Sequence, residues 1–303
     1  AVLPLLWSLG RRVEVDSVEI TDLRVQVMRT ADGRLSYQDI LEKLADQPES
    51  PPMTQAEIDR LAGIVLHEAQ LVDAAILFYD LSTPYGAAAP IKIEGIQLGL
   101  HEARLFEPFS LTLDMALLAA QRNFHLGLTV GPLPRDLQVT QPISLLRKAE
   151  LEILPIEVEP LLRFLPASPG VGLGRARLEA KLALSTPLES GNLSLSASFA
   201  ARGLTLEQDA SSGYPLGQRR GQPVDIKLET QLGAMLLPGD VKLDKLELAI
   251  NDMAISAKAD LRSLWSTPAV HMLSIASRGF LLERLLSILP PAAIPKGAEL
   301  RGP

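Results

Sequence analysis

Four histidines, His67, His101, His125 and His271, are the only imidazoles in the chain, and none has a second histidine or a carboxylate at the spacing of an HExxH-type metal site. There is no cysteine, which removes thiolate zinc, a disulfide framework and a cysteine nucleophile together. Gly170-Val171-Gly172-Leu173-Gly174 has the letters of a phosphate loop. A dinucleotide site needs such glycines after a strand and before a helix, whereas here a helical pattern precedes them and a strand pattern follows. The pairs Glu14 with Asp16 and Asp225 with Glu229 alternate with apolar residues, so they belong to the wet faces of strands and define no glycosidase spacing. Asn192-Leu193-Ser194 is a glycosylation sequon by letters only, inside an alternating strand, and no serine has a nucleophile-elbow context. These residues predict no enzyme, no metal and no cofactor.

What the spacing does supply is an extended dry surface. Phe109, Leu111, Leu113, Met115 and Leu117 share one face of a strand while Ser110, Thr112 and Asp114 share the other. Leu178, Ala180, Leu182 and Leu184 do the same against Arg177, Glu179 and Lys181, and Leu193, Leu195, Ala197 and Phe199 against four polar residues. Val224, Ile226 and Leu228 repeat the pattern, as do Leu248 within 241–250 and Met253, Ile255 and Ala257. The residues expected to line an apolar groove are Leu111, Leu113, Met115, Leu178, Leu182, Leu195, Phe199, Ile226, Leu228, Leu248 and Ile255. Such a lining suits acyl chains: moving a sixteen-carbon chain through water costs roughly 12 kcal/mol at about 0.8 kcal/mol per CH₂. A continuous aliphatic path removes most of that cost without any catalytic group.

The elements that must carry this surface are strands with one wet and one dry face, the antiparallel signature. Weaker alternation at 71–79, 91–100, 124–130 and 269–277 brings the total to about a dozen. Two long strands slip phase, from Val13 and Val15 to Val18 and Ile20 and on to Leu23, Val25 and Val27, and from Val241 and Leu243 to Leu246, Leu248 and Ile250. A parity change is how a β-bulge appears in sequence, and bulges predict a strongly twisted, curved sheet. Helices are expected over Tyr37 to Leu44 and over Thr54 to His67, the latter opening with a Thr54/Glu57 capping box. Shorter helices are expected near 158–165 and 280–289, with exposed loops at 47–53 and 208–222. Val158 to Pro166 and Leu282 to Pro290 match at the Glu, two adjacent leucines, a later leucine and the final proline, which predicts a repeated unit.

The chain has 303 residues and a net charge of −7, 47% hydrophobic but only 4% aromatic. An acidic balance without basic clusters or stacking platforms excludes nucleic acid as a partner. No stretch has the ~18 uninterrupted apolar residues of a spanning helix.

The opening LPLLWSLGRRVEVDSVEITDLRVQVMRTADGRLSYQDIL resembles the start of AsmA-family proteins, with Arg29, Asp32, Gly33 and Tyr37 to Leu41 where that pattern expects them. Phe78-Tyr79-Asp80 through Leu100 resembles the family's aspartate-bearing strand and the turn after it; Gly131-Pro132 resembles its strand ending, and both leucine-rich helix and proline units resemble its punctuation. The resemblance implies an envelope protein of a diderm bacterium, anchored in the inner membrane, whose periplasmic β-rich body forms a long apolar groove related to bridge-like lipid-transfer proteins. The family's N-terminal transmembrane helix is absent from this sequence, so the chain is expected to be a piece of a longer protein with its anchor elsewhere.

The expected fold is mainly β (α+β), a strongly twisted and curved antiparallel sheet forming an open apolar groove with a few short capping helices. Its expected segments are 1–157, 158–279 and a truncated further repeat at 280–303. The expected function is periplasmic lipid handling and transport between inner and outer membrane, serving outer-membrane homeostasis, with phospholipid or another acyl-chain lipid and envelope proteins as partners. The alternative is a non-catalytic structural or interaction module whose apolar faces close on each other as a β-sandwich core.

Overall fold

The computed structural model describes residues 13–45, 54–82, 90–135, 145–158, 160, 172–173, 175–186, 192–207, 223–235, 239–264 and 266–279. The protein is mainly β with two helices among these residues. It falls into two compact units, residues 1–150 and 151–303.

The first unit holds β1 (Val13–Thr21), β2 (Arg24–Arg29), α1 (Gln38–Ala45), α2 (Gln55–Ala62), β3 (Ile64–Asp80), β4 (Ile91–Arg104), β5 (Phe109–Leu117) and β6 (Phe124–Val130). Strands β3 to β6 pair in sequence order, each antiparallel to the next. Strands β1 and β2 depart from the all-antiparallel expectation, because they run parallel to β3 along its first and second halves. A parallel pair needs a crossover, and the segment carrying α1 and α2 supplies it between the end of β2 and the start of β3.

Thr54 and Glu57 form the capping box of α2 in both directions, and Ile58 is buried where the helix packs on β3. The helix is shorter than the expected Thr54 to His67. It ends at Ala62, Gly63 caps it with an N–H bond to the Arg60 carbonyl, and Ile64 and Val65 open β3, so His67 lies on a strand. β-Branched residues after a glycine favour the extended state over another helical turn.

The second unit contains β9 (Arg177–Ser185), β10 (Asn192–Leu204), β12 (Val224–Met235), β13 (Asp240–Ile250), β14 (Met253–Arg262) and β15 (Ala269–Arg278), antiparallel throughout in that order. The two-residue strands β8 (Gly172–Leu173) and β11 (Leu206–Glu207) pair with each other. Strand β7 (Leu146–Glu157), within which the division into units falls, has no counterpart in the sequence reading. Its Lys, Glu and Pro155 mask the alternation. Within the second unit Glu157 accepts from Arg177 at 2.6 Å and Val158 N–H donates to the Ala176 carbonyl at 2.9 Å. The helices expected near 158–165 and 280–289, the loops at 47–53 and 208–222 and most of the glycine cluster at 170–174 lie outside the described residues.

Among the described residues few large side chains are fully buried. The buried apolar residues include eight alanines, among them Ala74, Ala75, Ala200 and Ala201, with Ile58, Val65, Ile96, Ile156, Val158, Val224 and Met253. That composition is what a sheet layer gives where only small side chains are hemmed in by their strand neighbours. Its cohesion comes from ladder hydrogen bonds and cross-strand side-chain pairs of roughly 0.2–1 kcal/mol each.

Candidate functional site

The cross-strand registers of the second unit set its expected lining residues on one face in rows. Leu178, Ala201, Ile226, Ile250 and Met253 stand opposite one another in one row. The next contains Ala180, Phe199, Leu228, Leu248 and Ile255, and the next Leu182, Ala197, Thr230, Leu246, Ala257 and Ile275. A further row reads Leu184, Leu195, Leu232, Leu243, Ala259 and Leu273. Directly opposed residues share a face, so this surface is largely aliphatic from β9 to β15, with Thr230 and Ser277, which stands opposite Ile255, as polar interruptions.

Regular alternation alone would not produce this surface. Leu243 and Leu246 are three apart and would fall on opposite sides of a regular strand. Strand β13 shifts register at this point against both neighbours: Gln231 opposes Lys245 while Leu232 opposes Leu243, and Leu243 opposes Ala259 while Leu246 opposes Ala257. The bulge at Asp244 and Lys245 therefore returns the leucines to the aliphatic face, as the phase slip in the sequence predicts.

In the first unit, Leu111, Leu113 and Met115 occupy one face of β5. Leu111 stands in a row with Ala69, Leu100 and Leu128, Leu113 with Leu71, Leu98 and Leu126, and Met115 opposite Phe124. Here too the phase is managed. Ile76 and Ile93 join the face beside Leu117, although they differ in parity from Leu71 and Leu98. The change occurs at Asp73 on β3 (φ 53°) and Gly95 on β4 (φ 59°), level with Asp22 (φ 57°) at the break between β1 and β2. The expected bulge within 13–27 is this break. Val18 and Ile20 stand opposite Ala69 and Leu71, Val25 and Val27 opposite Ile76 and Phe78, whereas Val13 and Val15 fall on the other face beside Ile64 and Leu66.

None of the eleven expected lining residues is among the buried residues; ten are half-buried and Phe199 is 38% exposed. On β15 exposure rises to 66% for Val270, 61% for Leu273 and 67% for Ile275. The residues that listing single strands missed, such as Leu232, Leu246, Leu273 and Ile275, become visible only through register. Each lies on a strand whose alternation the sequence did show.

The opposite face is charged and largely self-neutralised. Arg202 meets Glu179 at 2.6 Å, Lys181 meets Glu152 at 2.5 Å and Lys242 meets Asp244 at 2.7 Å. Glu229 accepts from Lys227 and Lys245, and these two ammonium donors hold its carboxyl down from 4.5 to about 2. Asp225 is tied to the backbone instead, accepting from the Gly203 N–H at 2.8 Å, so it and Glu229 serve different strand contacts. In the first unit Glu14 and Asp16 are exposed but depart from the expectation of a wet face: with Val13 and Val15 on the other side of β1, they share the side of Val18 and Ile20.

Each histidine sits beside one carboxylate: His67 and Glu102 at 3.2 Å, His101 and Glu68 at 3.6 Å, His125 and Asp114 at 2.8 Å, His271 and Asp260 at 3.5 Å. Among the described residues no three metal-ligating side chains converge, and no helix is long and apolar enough to cross a membrane. No family model, no curated protein and no solved structure matches the chain.

Proposed function

We propose that this protein handles acyl-chain lipid, shielding hydrocarbon on the aliphatic face of its strands while head groups stay in water. The observation that carries the reading is the set of half-exposed aliphatic rows from β9 to β15. Isolated surface leucines need no explanation, but a contiguous apolar surface across six strands is what a ligand or partner face requires. The charged face behind it has mostly internal partners, and the lining contains no group that would act on a substrate, so the activity proposed is binding and conduction. With the AsmA-family resemblance, the proposed setting is the periplasm, in a protein anchored to the inner membrane that moves phospholipid or another acyl lipid between membranes.

The test introduces Leu195→Asp together with Ile226→Asp and measures co-purifying lipid by mass spectrometry beside thermal unfolding. Carboxylates on a half-exposed face reach water when the face is empty, but lie against hydrocarbon at a cost of several kcal/mol when a tail is bound. Lost lipid with nearly unchanged melting is the expected result. Collapse of the fold would identify the face as a closed core, because buried unpaired charge is among the most destabilising changes known.

A further inference from the structure

The face of the first unit opposite its aliphatic rows carries a depression of about 850 Å³, placed where Asp73 and Gly95 change the phase of β3 and β4. Its floor is the other alternation of β3: Ala75, Leu77 and Tyr79, a run of roughly 13 Å at the usual strand rise. Arg24 and Gln26 of β2 flank it on one side, Lys92 and Glu94 of β4 on the other. In register, Leu77 lies between Gln26 and Lys92. The two ends differ in character. One is closed by Tyr79 and Pro90, the other by the charged group of Arg24, Asp73 and Glu94.

The polar side chains there divide into engaged and free. Arg24 donates to the Asp73 carbonyl at 2.6 Å and lies 3.5 Å from the carboxylates of both Asp73 and Asp22. Lys92, Glu94, Gln26 and Tyr79 have no hydrogen-bond or ion-pair partner among the described residues. Lys92 and Glu94 are two residues apart on the same side of β4, about 7 Å along the strand, and do not pair with each other. A free cation and a free anion held at that separation over an apolar floor are complementary to a zwitterion with an apolar body. A purely apolar ligand would strip water from both charges without replacing it, and a purely anionic one would be set against Glu94.

We propose that this depression is a second ligand site, specific for a zwitterionic amphiphile of the ammonium and phosphate type. The phosphate oxygens accept from Lys92, the ammonium donates to Glu94, and the proximal hydrocarbon lies over Leu77 and Tyr79. The site is on the face away from the aliphatic rows and does not depend on what those rows bind.

The experiment titrates the protein with lysophosphatidylethanolamine below its micelle threshold and follows the methyl resonances of Ala75 and Leu77, so that lipid on the other face is not read. Saturable shifts are expected for the parent, and affinity about tenfold weaker for Lys92→Gln and for Glu94→Gln, the loss typical of a charge-assisted hydrogen bond. Lysophosphatidylglycerol, which lacks the ammonium, should bind about as weakly as the Glu94→Gln variant binds the parent ligand. Free phosphoethanolamine should not shift the methyls. The Leu195→Asp/Ile226→Asp protein should bind as the parent does, which separates failure of this site from failure of the lipid-handling face. Equal affinity for the two lysolipids, undiminished binding by either glutamine variant, or unshifted methyls at saturating lysophosphatidylethanolamine would each overturn the proposal. Both glutamine variants change exposed strand positions, so their thermal melts should match the parent.

Discussion

Asp22, at the break between β1 and β2, stands level with Asp73 of the neighbouring β3, both in left-handed backbone, and Arg24 ties them by lying 3.5 Å from each carboxylate. The Asp22 N–H still donates to the Val72 carbonyl at 3.0 Å and the Ala75 N–H to the Leu23 carbonyl at 2.8 Å, so the ladder passes through the irregularity intact. Gly95 adds a third positive φ on β4. These positions change the parity of three strands together, which is why the aliphatic residues before and after them face the same way.

That arrangement predicts an order of tolerance. Asp73→Gly removes the left-handed cost and should be neutral or slightly stabilising, because the ion pair it loses is exposed. Asp73→Val and Gly95→Val should each cost about 1–2 kcal/mol, the backbone penalty for a side chain with little access to this region. A Cβ at Gly95 would have its nearest neighbour, Arg122 Nε, at an ordinary 3.7 Å, so the cost there is conformational rather than steric. Urea unfolding midpoints of the three variants check the order.

Glu229 predicts a pH dependence with a definite sign. Its carboxyl is lowered from 4.5 to about 2 by hydrogen bonds from Lys227 and Lys245, so it favours the folded state when ionised. The contribution is fully present above the unfolded value near 4.5 and is lost as pH falls through about 2. The group is on a solvent-facing ladder, so the size is that of a surface network, under about 1 kcal/mol. Glu229→Gln should therefore melt below the parent at pH 7, and the difference should shrink below pH 4.5 and vanish near pH 2. An unchanged difference between pH 7 and pH 2 would assign the effect to packing instead.

The strands were legible from their alternation because a sheet with one wet and one dry face writes its period directly into the residues, as at Phe124–Val130 and Phe109–Leu117. What alternation does not encode is direction. Nothing in VEVDSVEIT separates a parallel from an antiparallel partner, and β1 and β2 prove parallel to β3 because the segment with the two helices returns the chain. The end of α2 was misplaced because Ile64, Val65 and Leu66 continue an apolar spacing that suits either a helix or a strand; Gly63 decides it. Of the candidate site, single strands revealed which apolar residues share a strand face, but rows such as Leu184, Leu195, Leu232, Leu243 and Leu273 exist only through register. The depression over Leu77 was not legible at all, since it depends on irregularities in three strands that are far apart in sequence.

The bulge at Asp244 gives the last prediction, which separates the side chain from the position. Asp244→Ala keeps the extra residue and loses the 2.7 Å contact with Lys242, an exposed pair, so it should cost less than about 0.5 kcal/mol. Deleting Asp244 removes the one extra residue and makes β13 regular: Leu243 and Leu246 become two apart, so Val241, Leu243, Leu246, Leu248 and Ile250 all keep the aliphatic face, and the thermal midpoint should stay close to that of Asp244→Ala. Deleting Lys245 as well makes Leu243 and Leu246 adjacent, so that either Val241 and Leu243 or Leu246, Leu248 and Ile250 turn to the charged face, and charged side chains turn onto the aliphatic rows. Losing the half-burial of two aliphatic side chains costs roughly 2 kcal/mol at the usual transfer values, before any charge is brought onto the apolar face. The double deletion should therefore lower the thermal midpoint of the second unit clearly, and amide exchange should show lost protection in β12, β13 and β14 together. Equal melting of the single and double deletions would mean that the strand tolerates either parity, and that the aliphatic face is not what fixes its register.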